Sequence, residues 1–434
     1  MGKKRILILG AGLAGLSAAW HLQEKGRDYL IFEKESDVGG LSRSKIINGF
    51  TFDYCGHLLH FKHQYTFNLI KKLLGNNLLK HQRSAWVYSQ GRYSRYPFQV
   101  NLYGLPPPII KECLLGFIRA SGDGKLKKDK NLNFLYWISQ TFGKGIARHF
   151  MIPYNTKFWT VPPEELTCEW LDGFIPVPSL DQIVEGTIKE SKRQFGYNAQ
   201  FWYPREGGIG QLSLALASQI KHIYTDCRIT EINLAKKEIK MASGNRESYD
   251  CLITTIALPE MQYLIKNLSA DIRSAFKKLK WNSVFNLNLG MAKNNSDGQH
   301  WIYFPQKEIC FFRVGFFHNF SPNLAPADKD SLYIEVSYPQ DKPVDKSDIT
   351  FRIKDDLKKA GIIREDNQIC REDINDIKYG YPIYDKNYSL VRSKILGFLL
   401  KNNIISCGRY GSWRYMSMED ALLDGKSVAE SYSF

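Results

Sequence analysis

The opening run Arg5-Ile-Leu-Ile-Leu9-Gly10-Ala-Gly12-Leu-Ala-Gly15 constrains this chain more than any other stretch. A short, wholly apolar strand at 5–9 leads into three glycines spaced G-x-G-x-x-G, then into LSAAWHLQEKG, a helical pattern that ends at Gly26. DYLIFEK supplies a second strand ending at Glu33. Strand, turn, helix and strand within about thirty residues form the βαβ unit of a parallel sheet. Gly10 permits the tight turn, Gly12 lets backbone N–H groups approach a pyrophosphate, and Gly15 lets helix and strand pack closely. The positive end of the helix dipole then faces the phosphates. Glu33, 23 residues after Gly10, stands where an acid grips ribose hydroxyls. These features predict a dinucleotide site; the alternative is a glycine-rich turn with no ligand.

The remainder bounds the class of protein. The 434 residues suffice for about two or three domains. Apolar residues at 44% and charged residues at 24% exclude a disordered or fibrous chain. Net charge is +15, and residues 1–150 carry nearly all of it, with 23 Lys and Arg against 9 Asp and Glu. Such a basic half points either to an anionic partner or to a solvated basic face. The basic residues form no nucleic-acid motif, so nucleic acid is not expected as a partner. Eight scattered cysteines, with no C-x-x-C and no Cys/His cluster, read as free thiols in a reducing, cytoplasmic setting with no metal site. No run reaches the roughly 20 apolar residues of a membrane span. The glycine pattern inside the apolar start argues against a secretory leader.

Residues 66–80 fit a basic amphipathic helix, on the surface or in shallow peripheral contact with a membrane. Residues 105–150 read mostly helical, with a Lys-rich turn at 122–130. VFNLNLGMA, WIYFP, CFFRVGFF and SLYIEVSY, between 281 and 340, alternate as strands of an antiparallel sheet. IYTDCRITEINL, KEIKMA and YDCLITTIALP return the chain to the first domain. The expected fold is α/β. A dinucleotide-binding, Rossmann-like parallel-sheet domain is assembled from 1–75, 205–260 and 385–434. A mainly helical domain (76–204) and an antiparallel-sheet domain (261–384) build the substrate side.

Glu33-Lys-Glu-Ser-Asp-Val-Gly39-Gly40-Leu-Ser-Arg43 resembles the second signature of FAD enzymes related to amine oxidases and protoporphyrinogen oxidase, where the glycine pair and the arginine approach the flavin diphosphate. Further blocks follow in order: Gly56-His57, Tyr96-Pro-Phe-Gln99, Tyr154-Asn155 to Trp159, Gly196-Tyr197-Asn198, Tyr303, Phe312-Arg313, Tyr381-Pro382 and Gly408-Arg409-Tyr410-Gly411. In this order they resemble UDP-galactopyranose mutases, especially the eukaryotic branch, over roughly 5–430.

The resemblance implies FAD, active in its reduced form, and a nucleotide-diphosphate sugar whose ring is interconverted between pyranose and furanose without net redox. NADPH is a candidate reductant. Gly408, Ser417 and Met418, with the helix that follows, would close over the flavin, and His57 would lie beside its ring. Tyr96, Gln99, Asn155, Trp159 and Asn198 would line the nucleotide and sugar pocket. Tyr303, Tyr381 and Arg313 would contact the diphosphate, with Arg409 between flavin and sugar. Physical reasoning agrees that arginine suits a buried diphosphate better than lysine. Taken singly, Arg313 also fits an exposed ion pair, Tyr303 a half-buried sheet residue, and His57 and Trp159 core residues.

Three departures stand out. Phe174 occupies a family arginine position, Phe320 a family tyrosine position, and Met416–Ala421 lies closer to amine-oxidase relatives. The sugar is therefore not necessarily galactose. Two rival readings remain: an FAD-dependent amine oxidase or protoporphyrinogen oxidase, and a non-catalytic flavin or nucleotide-binding scaffold in glycan (polysaccharide) assembly. The sequence leaves the oligomeric state open.

Overall fold

The computed structural model describes residues 5–122, 132–171, 173–191, 193, 195, 196, 198–293 and 298–431. Most of the Lys-rich 122–130 stretch therefore lies outside the described residues, as does Tyr197. Strand Ile6–Leu9 buries all four side chains and pairs in parallel with Tyr29–Phe32 on one side and Cys251–Thr254 on the other. Ile223–Tyr224 and Ile404–Ser406 complete a five-stranded parallel sheet at its two edges. Burial on both faces accounts for the unbroken apolar runs ILIL and CLIT.

The helix Leu13–Glu24 leaves the first strand through Gly10, whose φ of +97° is open to glycine and costly for other residues. Its backbone lies against other backbone on two sides. A Cβ at Gly15 would stand 2.0 Å from the Gly10 carbonyl oxygen. A Cβ at Gly425, on the C-terminal helix Met418–Ser431, would stand 2.2 Å from that of Ala14. The first helix is thus wedged between strand and C-terminal helix, with its N-terminus fixed.

The second sheet has seven strands in the order Ile369–Pro382, Trp281–Ala292, Lys329–Pro339, Arg313–Phe316, Trp301–Tyr303, Ala85–Ser89, Arg92–Arg95. Phe285, Leu287, Leu289, Ile334 and Val336 pack on one face against the helix Lys346–Lys359. The intervening residues Asn286, Asn288, Tyr333 and Glu335 point to the other face, where Asn288 Nδ2 donates to the Asp53 carbonyl at 3.0 Å. The period of two thus separates an apolar face from a polar, buried one.

Two expectations need correction. The sheet is mixed: Trp301–Tyr303 pairs in parallel with Ala85–Ser89, a strand from the stretch read as helical. And residues 66–80 do not form one helix. The helix Gln64–Leu74 stops at Gly75 (φ +54°), and Leu79–Gln82 becomes a strand paired with Gln200–Tyr203. Leu69, Ile70 and Leu74 turn inward, leaving Lys71 and Lys72 outside, so the apolar face meets the core. Among the described residues no helix is long and apolar enough to cross a membrane.

Because the Gly15 contact is backbone against backbone, no side chain can yield to relieve it. Gly15→Ala should destabilise the fold by about 1–3 kcal/mol, read as a lower urea midpoint at unchanged m-value.

Candidate active site

A cavity of about 1040 Å³ opens where the parallel strands end in Leu9–Gly10, Phe32–Glu33 and Thr255, and the polar face of the second sheet closes its far side. Ligands of open α/β sheets bind at such carboxyl ends. Gly10 and Gly12 line it, as do Glu33, Gly39, Gly40 and Arg43. Gly39 N donates to Ala11 O at 2.8 Å, bringing the second glycine pair onto the first turn. No side chain caps the first helix, and a Cβ at Gly12 would meet no atom within 4 Å. Uncapped helix N–H groups above an open backbone cradle suit a pyrophosphate. Glu33, buried at the strand end, accepts from Ala11 N at 2.7 Å. Arg43 donates from Nε to Gly40 O at 2.7 Å, which fastens the glycine loop. These features fit the diphosphate and ribose of a flavin dinucleotide.

Gly408, Ser417 and Met418 reach the same cavity from the C-terminus. Ser417 caps the last helix: Asp420 N donates to its Oγ at 3.1 Å, and its own N and Oγ donate to Asp420 Oδ2. Gly15 lies beneath the turn and outside the cavity lining, where it packs helix on strand.

Arg313 and Arg409 both line the cavity, and each is held differently. Arg313 faces Glu335 directly across the antiparallel register and clasps it through Nε and, at 2.8 Å, Nη2. Burial disfavours the guanidinium charge, but Glu335 outweighs it and holds Arg313 above its ordinary pKa. Arg409 meets carbonyls and rings. It donates to Met416 O at 2.7 Å and to Gly380 O at 3.3 Å, with the Tyr381 ring 4.7 Å and the Tyr415 ring 5.0 Å from its carbon centre. Its Nε is buried without an acceptor.

Aromatic groups supply much of the remaining wall. Tyr96, Tyr303 and Tyr381 line it, with Tyr96 and Tyr303 tilted together at 5.0 Å. Burial pushes the phenols of Tyr96 and Tyr381, and those of Tyr154, Tyr410 and Tyr415, above the ordinary tyrosine value, so they are hydrogen-bond donors at neutral pH. Gln99 donates to Pro176 O at 2.7 Å, and Asn155 donates back to Met151 O at 2.7 Å. Asn198 accepts from Arg83, whose guanidinium lies 4.8 Å from the Tyr96 ring centre. Burial, then the charges of Arg409 and Arg313, lower His57 to about 4, so a neutral imidazole faces the cavity.

Trp159 does not join them. Its indole is fully buried behind Tyr381, between Trp170 and Tyr384, and it belongs to the core. Phe320 is likewise buried, in a cluster with Phe201 and Tyr203, so that departure does not alter the cavity wall. Phe174 does alter it: its ring lines the cavity edge-on to Tyr415 at 4.8 Å, with Lys62 Nζ 5.5 Å from the ring centre. Sequence reasoning passed over Glu335 and Tyr415, and gave Tyr154 no role although its block was singled out. Glu335 was findable: in SLYIEVSY it is the one acid of a strand whose alternate residues are apolar.

Two outcomes follow from this geometry. Gly12→Ala adds a methyl group that meets no protein atom, at a φ of −73°, so it should fold normally yet purify with a lower ratio of visible flavin absorbance to protein absorbance. His57 and His60 are lowered to about 4 and His300 to about 3, each chiefly by burial. In the unfolded chain they take up protons below about pH 6.5. The stability these three contribute is therefore full above that pH and falls as pH drops towards 4, outweighing the single opposite trend of Asp53, whose buried carboxyl is raised to about 7. A urea midpoint that does not change between about pH 7 and about pH 5 would contradict burial of neutral imidazoles.

Residues 13–431 match the family of flavin containing amine oxidoreductases. A crystal structure of reduced UDP-galactopyranose mutase superposes with a TM-score of 0.92 at 28% identity, covering 99% of this chain and 95% of that one. Putrescine oxidase bound to putrescine shares the fold, with a TM-score of 0.68 at 16% identity over 99% of both chains. Among curated sequences, 4,4'-diapophytoene desaturase (4,4'-diapolycopene-forming) of Methylomonas sp is 46% identical over 50 residues, 12% of this chain and 10% of that protein. With the family match spanning nearly the whole chain and the cavity built to take a dinucleotide, this protein belongs to the flavin-containing amine oxidoreductase family and is an FAD protein.

Proposed function

We propose that this chain interconverts the pyranose and furanose forms of a sugar carried on a nucleoside diphosphate, with no net oxidation. The observation that carries the reading is the pairing, in one cavity, of a dinucleotide cradle with two arginines and a set of buried tyrosines. The likeness to reduced UDP-galactopyranose mutase over almost the full length supports it. When bound, reduced FAD supplies an electron-rich ring nitrogen able to displace a diphosphate from an anomeric carbon.

The chain's own residues position and neutralise. Arg409 carries a positive charge balanced by dipoles and ring faces and not by a carboxylate, so it attracts an anionic guest. Arg313 spends Nε and Nη2 on Glu335, which fixes the plane of the guanidinium and leaves Nη1 for a phosphate oxygen. Charge developing on a departing diphosphate meets these donors and the tyrosine hydroxyls already in place. Neutral His57 adds no further positive charge beside Arg313 and Arg409. The aromatic walls exclude water that would otherwise hydrolyse the activated sugar.

The test is anaerobic incubation of dithionite-reduced protein with a panel of nucleotide sugars, followed by chromatography for the ring isomer. Product is expected only with the reduced protein. Arg409→Ala should lower kcat/KM by about a hundredfold or more with flavin content retained. Oxygen consumption with an amine or a porphyrinogen, and no isomer from any sugar, would instead establish the oxidase chemistry found elsewhere in the family.

A further inference from the structure

Lys157 sits on the helix Ile152–Trp159, two residues beyond the cavity-lining Asn155, yet its side chain points away from the cavity. Its Nζ donates to the main-chain carbonyls of Phe304 at 2.8 Å, Ile309 at 2.8 Å and Phe311 at 3.2 Å, and to that of Gln306. All four oxygens belong to the irregular loop 304–312, which joins strand Trp301–Tyr303 to strand Arg313–Phe316. That loop begins and ends on two cavity residues, for Tyr303 and Arg313 stand opposite each other in the register.

Four carbonyl dipoles converging on one point repel one another and, once buried, need a donor. An ammonium group with three protons is a compact answer; a neutral side chain of the same length supplies nothing. Other contacts hold the loop's outer side: Cys310 N donates to Asp356 Oδ2 at 2.7 Å, and Phe304 meets Phe311 at 4.8 Å. Lys157 ties the loop's interior to the helix that carries Asn155 by hydrogen bonds, while at the loop's far end the Phe158 ring of that helix meets Phe312 at 5.2 Å.

We propose that Lys157 is a positioning residue: by plugging the 304–312 loop it sets where Tyr303 and Arg313 stand in the cavity. The plugging itself is independent of the function proposed above, and only the nature of the guest that Arg313 holds rests on that reading. Burial pushes Lys157 down to about 8, with Cys310, Asp356 and Glu308 nearby acting to raise it and Arg352 beside Cys310. The plug should therefore weaken as the ammonium loses its proton.

Lys157→Met keeps the aliphatic stem and removes the charge. In the FAD-loaded protein, hydrogen exchange of peptides spanning 301–316 should quicken by about tenfold or more while the parallel sheet is unchanged, and UDP should bind about tenfold more weakly. Exchange in 301–316 equal to that of the wild type would overturn the proposal. Should Lys157→Met not fold, UDP affinity of the wild type from about pH 7 to about pH 9 decides. A loss centred near 8 that Lys157→Arg abolishes is expected, and a flat profile overturns the proposal. Failure of the functional reading looks different: wild-type protein that does not bind UDP at neutral pH, with the exchange result standing on its own.

Discussion

Contact of backbone with backbone around the first helix is the constraint on which the rest depends. With Gly15 against the Gly10 carbonyl and Gly425 against that of Ala14, the helix cannot slide or roll without a clash. Its uncapped N-terminus is thereby aimed at one place, the opening where the parallel strands end. A helix dipole and a few N–H groups are weak attractors on a mobile element. Held rigidly, they become a phosphate site at no further cost in ordering. The C-terminal helix that supplies Gly425 also brings Ser417 and Met418 to the cavity, so the wedge that fixes the cradle closes it as well.

Arg313 and Arg409, two of the arginines on the cavity wall, show two ways of keeping a charge out of water. Arg313 is matched to Glu335 by sheet register, an arrangement in which removing one partner strands the other at a cost of about 3–5 kcal/mol. Arg409 has carbonyl oxygens and tyrosine faces for company and no carboxylate partner. The first arrangement gives precision of placement and the second leaves net positive charge. A doubly phosphorylated guest needs both.

The parallel-sheet core was readable because its cause is local: the glycine spacing and the apolar runs flank each other in sequence. The long strands of the second sheet were readable by their alternation. Strand Ile369–Pro382 was not, because six of its side chains are exposed at an edge and its alternation is polar. Strand Ala85–Ser89 was missed because it joins the sheet through Trp301–Tyr303, more than two hundred positions away, and its hairpin partner Arg92–Arg95 because its first two residues are exposed at the sheet edge. Most of the predicted site residues converge on one cavity, while Trp159 shows the limit of motif reasoning: a large aromatic next in sequence to the cavity-lining Phe158 can equally be core. Lys157 shows the converse, since a lone lysine on a helix reads as solvated until the carbonyls around it are known.

Net charge led less directly to the site than its size suggested. The surplus lies in residues 1–150, yet of the cations on the cavity wall only Lys34 and Arg43 come from there, while Arg228, Arg313, Lys378 and Arg409 come from the nearly neutral remainder. Exposed lysines such as Lys71 and Lys72 account for part of the surplus as a solvated face. Charge at the site is therefore a matter of topology: strands, a loop and a short helix far apart in sequence meet at one cavity, and each contributes a cation. Phe174 fits this logic. Where it lines the wall with Tyr415, the chain offers a ring face, backed by Lys62 on its other contacts, and not a guanidinium. Under the function proposed above, a guest there would meet stacking and shape, with its anionic part left to Arg313 and Arg409.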